Sequence, residues 1–137
     1  MNFSVEAVQE KVPVTILAPD GDVDGSNYQT LVGKAQELHT AGAQYLLLDL
    51  QHVNYMSSAG LVALYSISKL LVGEAPPDPD SGWDAYHSVQ RDRSTATHPQ
   101  LKLLNPQPRV EKLLEMAGLA TTFEIFRDRA AALASFC

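Results

Sequence analysis

The stretch Tyr45-Leu46-Leu47-Leu48-Asp49-Leu50, continued by Gln51-His52-Val53-Asn54-Tyr55-Met56-Ser57-Ser58-Ala59-Gly60-Leu61, decides the fold. Its opening is a nearly unbroken apolar run, too short for an independent helix and followed by a polar loop, which reads as a central strand buried on both faces. From about Ser58 to Val72, Leu61, Leu64, Ile67 and Leu71 recur on one face at helical spacing. A buried strand, a tight loop and a helix therefore meet between Asn54 and Gly60. In an open α/β sheet, sites lie beyond the carboxyl ends of such strands. Ser57 or Ser58 can cap the helix, and a phosphate there would meet free N–H groups and the positive end of the helix dipole. Phosphorylation would also add about −1.5 to −2 charges, so a partner surface matched to the unmodified loop would be lost.

Upstream, Phe3, Val5 and Ala7 alternate with polar neighbours and Val12 to Ala18 is a second β-rich run, so two paired strands are expected, joined around Glu10 and Lys11. Pro19, Asp20 and Gly21 end that pattern. Ser26 and Gln29 have the spacing of a capping box, predicting a helix from about Asn27 to Thr40, with Leu31, Ala35 and Leu38 on its core face and Gly42 as its stop. Downstream, Leu101 to Leu104 reads as a strand and Pro106 and Pro108 as a turn and helix opener. Val110, Leu113, Leu114 and Ala117 give that helix its apolar stripe, which Gly118 ends. Thr122 to Phe126 reads as a last strand, and Asp128 as the cap of a terminal helix carrying Ala131, Leu133 and Phe136.

Between these halves, residues 73–100 lose all apolar period. Pro76, Pro77 and Pro79 interleave with Asp78 and Asp80, marking a long insertion before the fourth strand. It holds Trp83, the only tryptophan, with Tyr86, Arg91 and Arg93, a set enriched at interfaces. Either the loop folds back to bury the indole on its own domain or it joins two copies in a homodimer. The whole pattern predicts a single α/β domain spanning 1–137, a mixed sheet of about five strands with about four helices.

Bulk properties narrow the function. A length of 137 residues with 45% hydrophobic content is enough for one core. A net charge of −6 argues against nucleic acid or anionic membrane as partner, because both select basic surfaces. Cys137 is the only cysteine, which leaves no internal disulfide or multi-cysteine metal site. No apolar stretch is long enough to span a bilayer and the opening residues lack the plan of a secretory signal, so a cytoplasmic chain is expected. His39, His52, His87 and His98 lack metal-ligand spacing and read as ordinary surface or loop residues. The Gly-x-Ser-x-Gly elbow of serine hydrolases is absent, and Gly21 and Gly25 fit neither phosphate-binding glycine pattern. Neither catalysis nor a cofactor is expected of this chain.

The segments Gly21-Asp22-Val23-Asp24, Leu48-Asp49-Leu50 and Met56 to Leu61, in that order, resemble the glycine-acid-apolar-aspartate element, central strand and switch loop of STAS-domain anti-sigma factor antagonists. The resemblance covers most of the chain outside the insertion. It implies a non-catalytic binding protein that holds an anti-sigma factor serine kinase while unphosphorylated and releases it when phosphorylated. The family's phosphorylated serine stands two residues before the glycine of Gly-Leu, which here is Ser58. Ser57 replaces an aspartate common in the family and is the rival acceptor. The implied docking surface comprises Asp22, Asp24, Asn54, Met56, Ser57, Ser58 and Gly60. On residues alone, Asp22 and Asp24 also read as an acidic turn before a helix, and Tyr55 as either a contact or a packed strand-end aromatic. Two other roles stay open: a phosphorylation-independent scaffold subunit of a sensory or transport assembly, and a small-molecule-binding module at the strand ends.

Overall fold

The computed structural model describes residues 2–72, 100–118 and 123–136. Strands β1 (Asn2–Gln9) and β2 (Pro13–Asp20) form an antiparallel hairpin that pairs Val5 with Leu17 and Val8 with Val14. Helix α1 (Tyr28–Thr40), strand β3 (Leu46–Asp49), helix α2 (Ser58–Leu71) and strand β4 (Leu101–Leu104) follow. Helix α3 (Pro108–Met116), strand β5 (Ile125–Phe126) and helix α4 (Arg129–Ala134) complete the described elements. The five strands lie in one mixed sheet in chain order, with β2 to β5 parallel.

Side-chain alternation along the strands divides the apolar residues between two cores. Leu17, Leu46, Leu48, Leu101 and Leu103 pack with Leu31 of α1, Leu61 and Leu64 of α2, and Val110 and Leu114 of α3. On the opposite face Val14, Ile16, Leu47 and Leu104 pack with Ala132, Leu133 and Phe136. Three crossover helices on one face is the result of parallel strands laid down in chain order with crossovers of one hand. Each fully buried leucine contributes roughly 1.5–3 kcal/mol, so β3, buried on both faces, is the centre of the fold.

The expected strand and helix pattern is present, with local corrections. Helix α2 is buried from Gly60 through Ser68 and at Leu70 and Leu71, rather than along one stripe, because it lies between neighbouring helices and the sheet. The capping box of Ser26 and Gln29 does not form. Asn27 is the N-cap of α1, Ser26 donates to Asp24, and Gln29 Nε2 donates to Tyr28 Oη at 3.4 Å. A carboxylate is the stronger acceptor and takes the serine hydroxyl away from the helix end. In α4, Ala132 is buried in place of Ala131. His39 is half-buried, its ring donating to the Ala43 carbonyl at 2.9 Å where Gly42, at φ +115°, turns the chain out of α1. Residues 73–99, with Trp83, Tyr86, His87, Arg91, Arg93 and His98, lie outside the described residues, as do Thr122 and Cys137.

Candidate functional site

The carboxyl ends of β2, β3 and β4 converge on three loops. After β2, Gly21 takes φ +110°, a conformation open to glycine, and its N–H donates to the His52 carbonyl at 3.0 Å. Val23 then forms a parallel bridge to Met56: Val23 N–H donates to Tyr55 O at 3.0 Å and Ser57 N–H to Val23 O at 2.9 Å. The acidic turn and the loop before α2 are thus one backbone-paired unit, with Val23 fully buried beneath them. From the other side Gln107, ahead of α3, donates through Nε2 to Gln51 O at 2.7 Å and Asn54 Oδ1 at 3.0 Å.

Within the acidic turn the two aspartates differ. Asp24 Oδ1 accepts from Ser26 Oγ at 2.5 Å and Ser26 N–H at 2.9 Å, and these donors hold its carboxyl below the usual carboxylate range. Asn27 clamps the same turn, accepting from Asp24 N–H at 3.0 Å and donating to Asp22 O at 2.8 Å. The Asp22 side chain is exposed. Neither aspartate lines the groove beside Ser58; both lie on the neighbouring loop.

The adjacent serines have different tasks. Ser57 is the N-cap of α2, and its Oγ accepts from Ala59 N–H at 3.2 Å. Ser58 is the first residue of the helix and is exposed. Met56 and Gly60 are buried beneath the loop, and Met56 also borders the groove beside the two serines. Tyr55 is 48% exposed, which removes the packed alternative for it.

Ser57 and Ser58 open onto a groove of about 350 Å³, whose far wall is α3 with Arg109, Lys112, Leu113 and Met116. None of these α3 residues was singled out in the sequence as part of the site. Their i, i+3, i+4, i+7 spacing defines a second stripe beside the core stripe of Val110, Leu114 and Ala117, and that spacing was the available signal. Only the fold brings it opposite Ser58. Met116 is 74% exposed on this wall. Among the described residues no group of histidine, cysteine and carboxylate side chains is arranged to hold a metal, and no helix is long and apolar enough to cross a membrane.

Residues 6–73 match the family model described as STAS domain. Comparison with curated proteins finds no match in sequence. Solved structures do resemble the fold. A candidate anti-sigma factor antagonist from Thermotoga maritima is 18% identical, with a TM-score of 0.66 over 95% of this chain and 90% of that one. An anti-sigma factor antagonist from Mycobacterium paratuberculosis is 14% identical, with a TM-score of 0.61 over 98% of this chain and 93% of that one. The anti-sigma factor antagonist SpoIIAA in its unphosphorylated form is 17% identical, with a TM-score of 0.58 over 96% of this chain and 92% of that one. The Bacillus protein SpoIIAA has also been solved phosphorylated.

Proposed function

We propose that this chain, whose residues 6–73 match the STAS-domain family model, is an anti-sigma factor antagonist: it binds a serine kinase of the anti-sigma type while Ser58 is unmodified and releases it once Ser58 carries phosphate. The observation that carries this reading is the division of labour between the two serines. The Ser57 hydroxyl caps α2, whereas Ser58 is exposed one residue further on. Modifying Ser57 would break the helix cap. Modifying Ser58 leaves the cap in place and changes only the surface.

The docking surface is the paired unit of the acidic turn and the loop before α2, with Asp22, Asp24, Asn54, Tyr55, Ser57 and Ser58 on its rim. The chain acts by binding, as one STAS-like domain in the cytoplasm, and the chemistry belongs to the kinase. The Ser58 oxygen forms a bond to the γ-phosphorus of ATP, the bond from that phosphorus to the β–γ bridging oxygen breaks, ADP departs, and the hydroxyl proton passes to a base of the kinase. Asp24 stays ionised well below neutrality, so the added phosphate extends an existing negative field across the joined loops.

Incubation with a candidate anti-sigma kinase and ATP, followed by phosphosite mapping by mass spectrometry, tests the reading. Phosphate on Ser58 is expected. Phosphate confined to Ser57, or none, rejects the assignment. A Ser58→Asp variant should bind the kinase more weakly than Ser58→Ala. A stable complex indifferent to both would identify a phosphorylation-independent scaffold subunit instead.

A further inference from the structure

We propose that Arg109 and Lys112 form a phosphate clamp in cis, receiving the phosphoryl group of Ser58 in the groove between α2 and α3. The proposal rests on Ser58 as the modified residue. It adds a second half to the switch, because the phosphorylated chain then withdraws two cations from its own surface as well as presenting new charge.

The two cations stand out against the rest of the chain. The net charge is −6, and most basic side chains of the described residues are engaged. Arg127 is held by Glu111 and the Pro106 carbonyl, Arg129 by Glu6, Lys34 by Glu37, and Lys102 by Glu124. Arg109 and Lys112 are exposed and form no ion pair or hydrogen bond among the described residues, and they line the same groove as Ser58. Their i, i+3 spacing sets them side by side on α3. Glu111, between them in sequence, is turned aside to Arg127.

The groove is suited to an anion in other respects. Among the described residues no carboxylate lines it, and the first turn of α2 contains no acidic residue. Met56, Leu113 and Met116 make much of its wall apolar, which weakens the competition of water for a phosphate lodged there. A phosphoserine dianion carries oxygens enough to accept from both a guanidinium and an ammonium at once.

Phosphoserine inserted at position 58 during translation makes the test independent of any kinase. The ³¹P resonance of the folded full chain is titrated through its second ionisation beside the same chain carrying Arg109→Gln and Lys112→Gln. The parent midpoint is expected on the order of half a pH unit to one unit below that of the double variant, with added salt closing the gap. Coincident midpoints overturn the clamp even if both lie below the value in urea, since the end of α2 would then hold the phosphate alone. A parent midpoint indifferent to salt overturns it equally, and that measurement needs no variant. A kinase that ignores Ser58 would end the proposed switch without touching this result. Coincident midpoints would end the clamp without touching the switch.

Discussion

Gly60 approaches Met56 so closely that a Cβ on Gly60 would lie 2.1 Å from Met56 Cγ and 2.8 Å from its Sδ. Met56 is 3% exposed and its backbone is bridged to Val23, so the clashing Cγ, only two bonds from that fixed backbone, cannot move far aside. Gly60→Ala should therefore destabilise the protein by about 1–3 kcal/mol through overpacking, despite the better helix propensity of alanine. Gly33 is the control. It is an exposed position of α1 where an added Cβ meets nothing within 4 Å, and Gly33→Ala should stabilise by about 0.5–1 kcal/mol. Urea denaturation of both variants checks the opposite signs.

Ser57 and Ser58 should separate in stability before any kinase is added. Ser57→Ala removes the acceptor for Ala59 N–H at the start of α2 and should cost about 0.5–2 kcal/mol. Ser58→Ala changes an exposed side chain and should stay within about 0.5 kcal/mol of the parent. Equal losses in thermal melts would contradict the division of labour on which the functional reading stands.

Much of the fold was legible because β3 carries its own evidence: an apolar run that short, stopped by glycine on one side and polar residues on the other, has few alternatives to a buried strand. The positions of Ser57 and Ser58 followed from the same segment. The site's far wall did not. Arg109 and Lys112 stand about fifty residues along the chain from Ser58, and no local period reports that α3 packs beside the start of α2. The capping box at Ser26 misled for a related reason. Helix signals rank Ser26 as a cap, but Asp24, two residues back, competes for the same hydroxyl and wins on charge.

Asp24 gives a pH dependence of known sign. Hydrogen bonds from the Ser26 hydroxyl and N–H lower its folded pKa below the unfolded value, so the stability they contribute is present above the unfolded pKa and lost as pH falls through the folded one. Asp24 remains partly open to solvent, which screens the interaction and keeps the contribution small. Side-chain carboxyl NMR should find the Asp24 titration lowered in the folded chain, and Ser26→Ala should move it upward. An Asp24 midpoint unchanged by the substitution would show that the hydroxyl is not the main donor.

Lys102 makes a prediction about the opposite face of the sheet. It sits mid-strand in β4, 5% exposed, where its neighbours Leu101, Leu103 and Leu104 are all apolar. Its Nζ donates to the Ser135 carbonyl at 3.1 Å and Ser135 Oγ at 2.9 Å, lies 3.5 Å from Glu124, and is 4.8 Å from the centre of the Phe136 ring and 5.7 Å from that of Phe126. One ammonium thus ties the end of α4 and the start of β5 to the sheet, offsetting its own desolvation with hydrogen bonds and ring faces. Lys102→Ala removes both the buried stem and the tie and should cost about 2–4 kcal/mol. Lys102→Met keeps the packing and loses only the charge, and replacing a buried ion by a well-packed apolar residue is often close to neutral, so it should cost less than half as much. Hydrogen exchange sharpens the comparison. In Lys102→Ala the amides of Ala132 and Ser135, bonded within α4, should lose protection before those of β3, whereas simultaneous loss in both elements would mean that Lys102 supports the whole sheet and not the terminal helix.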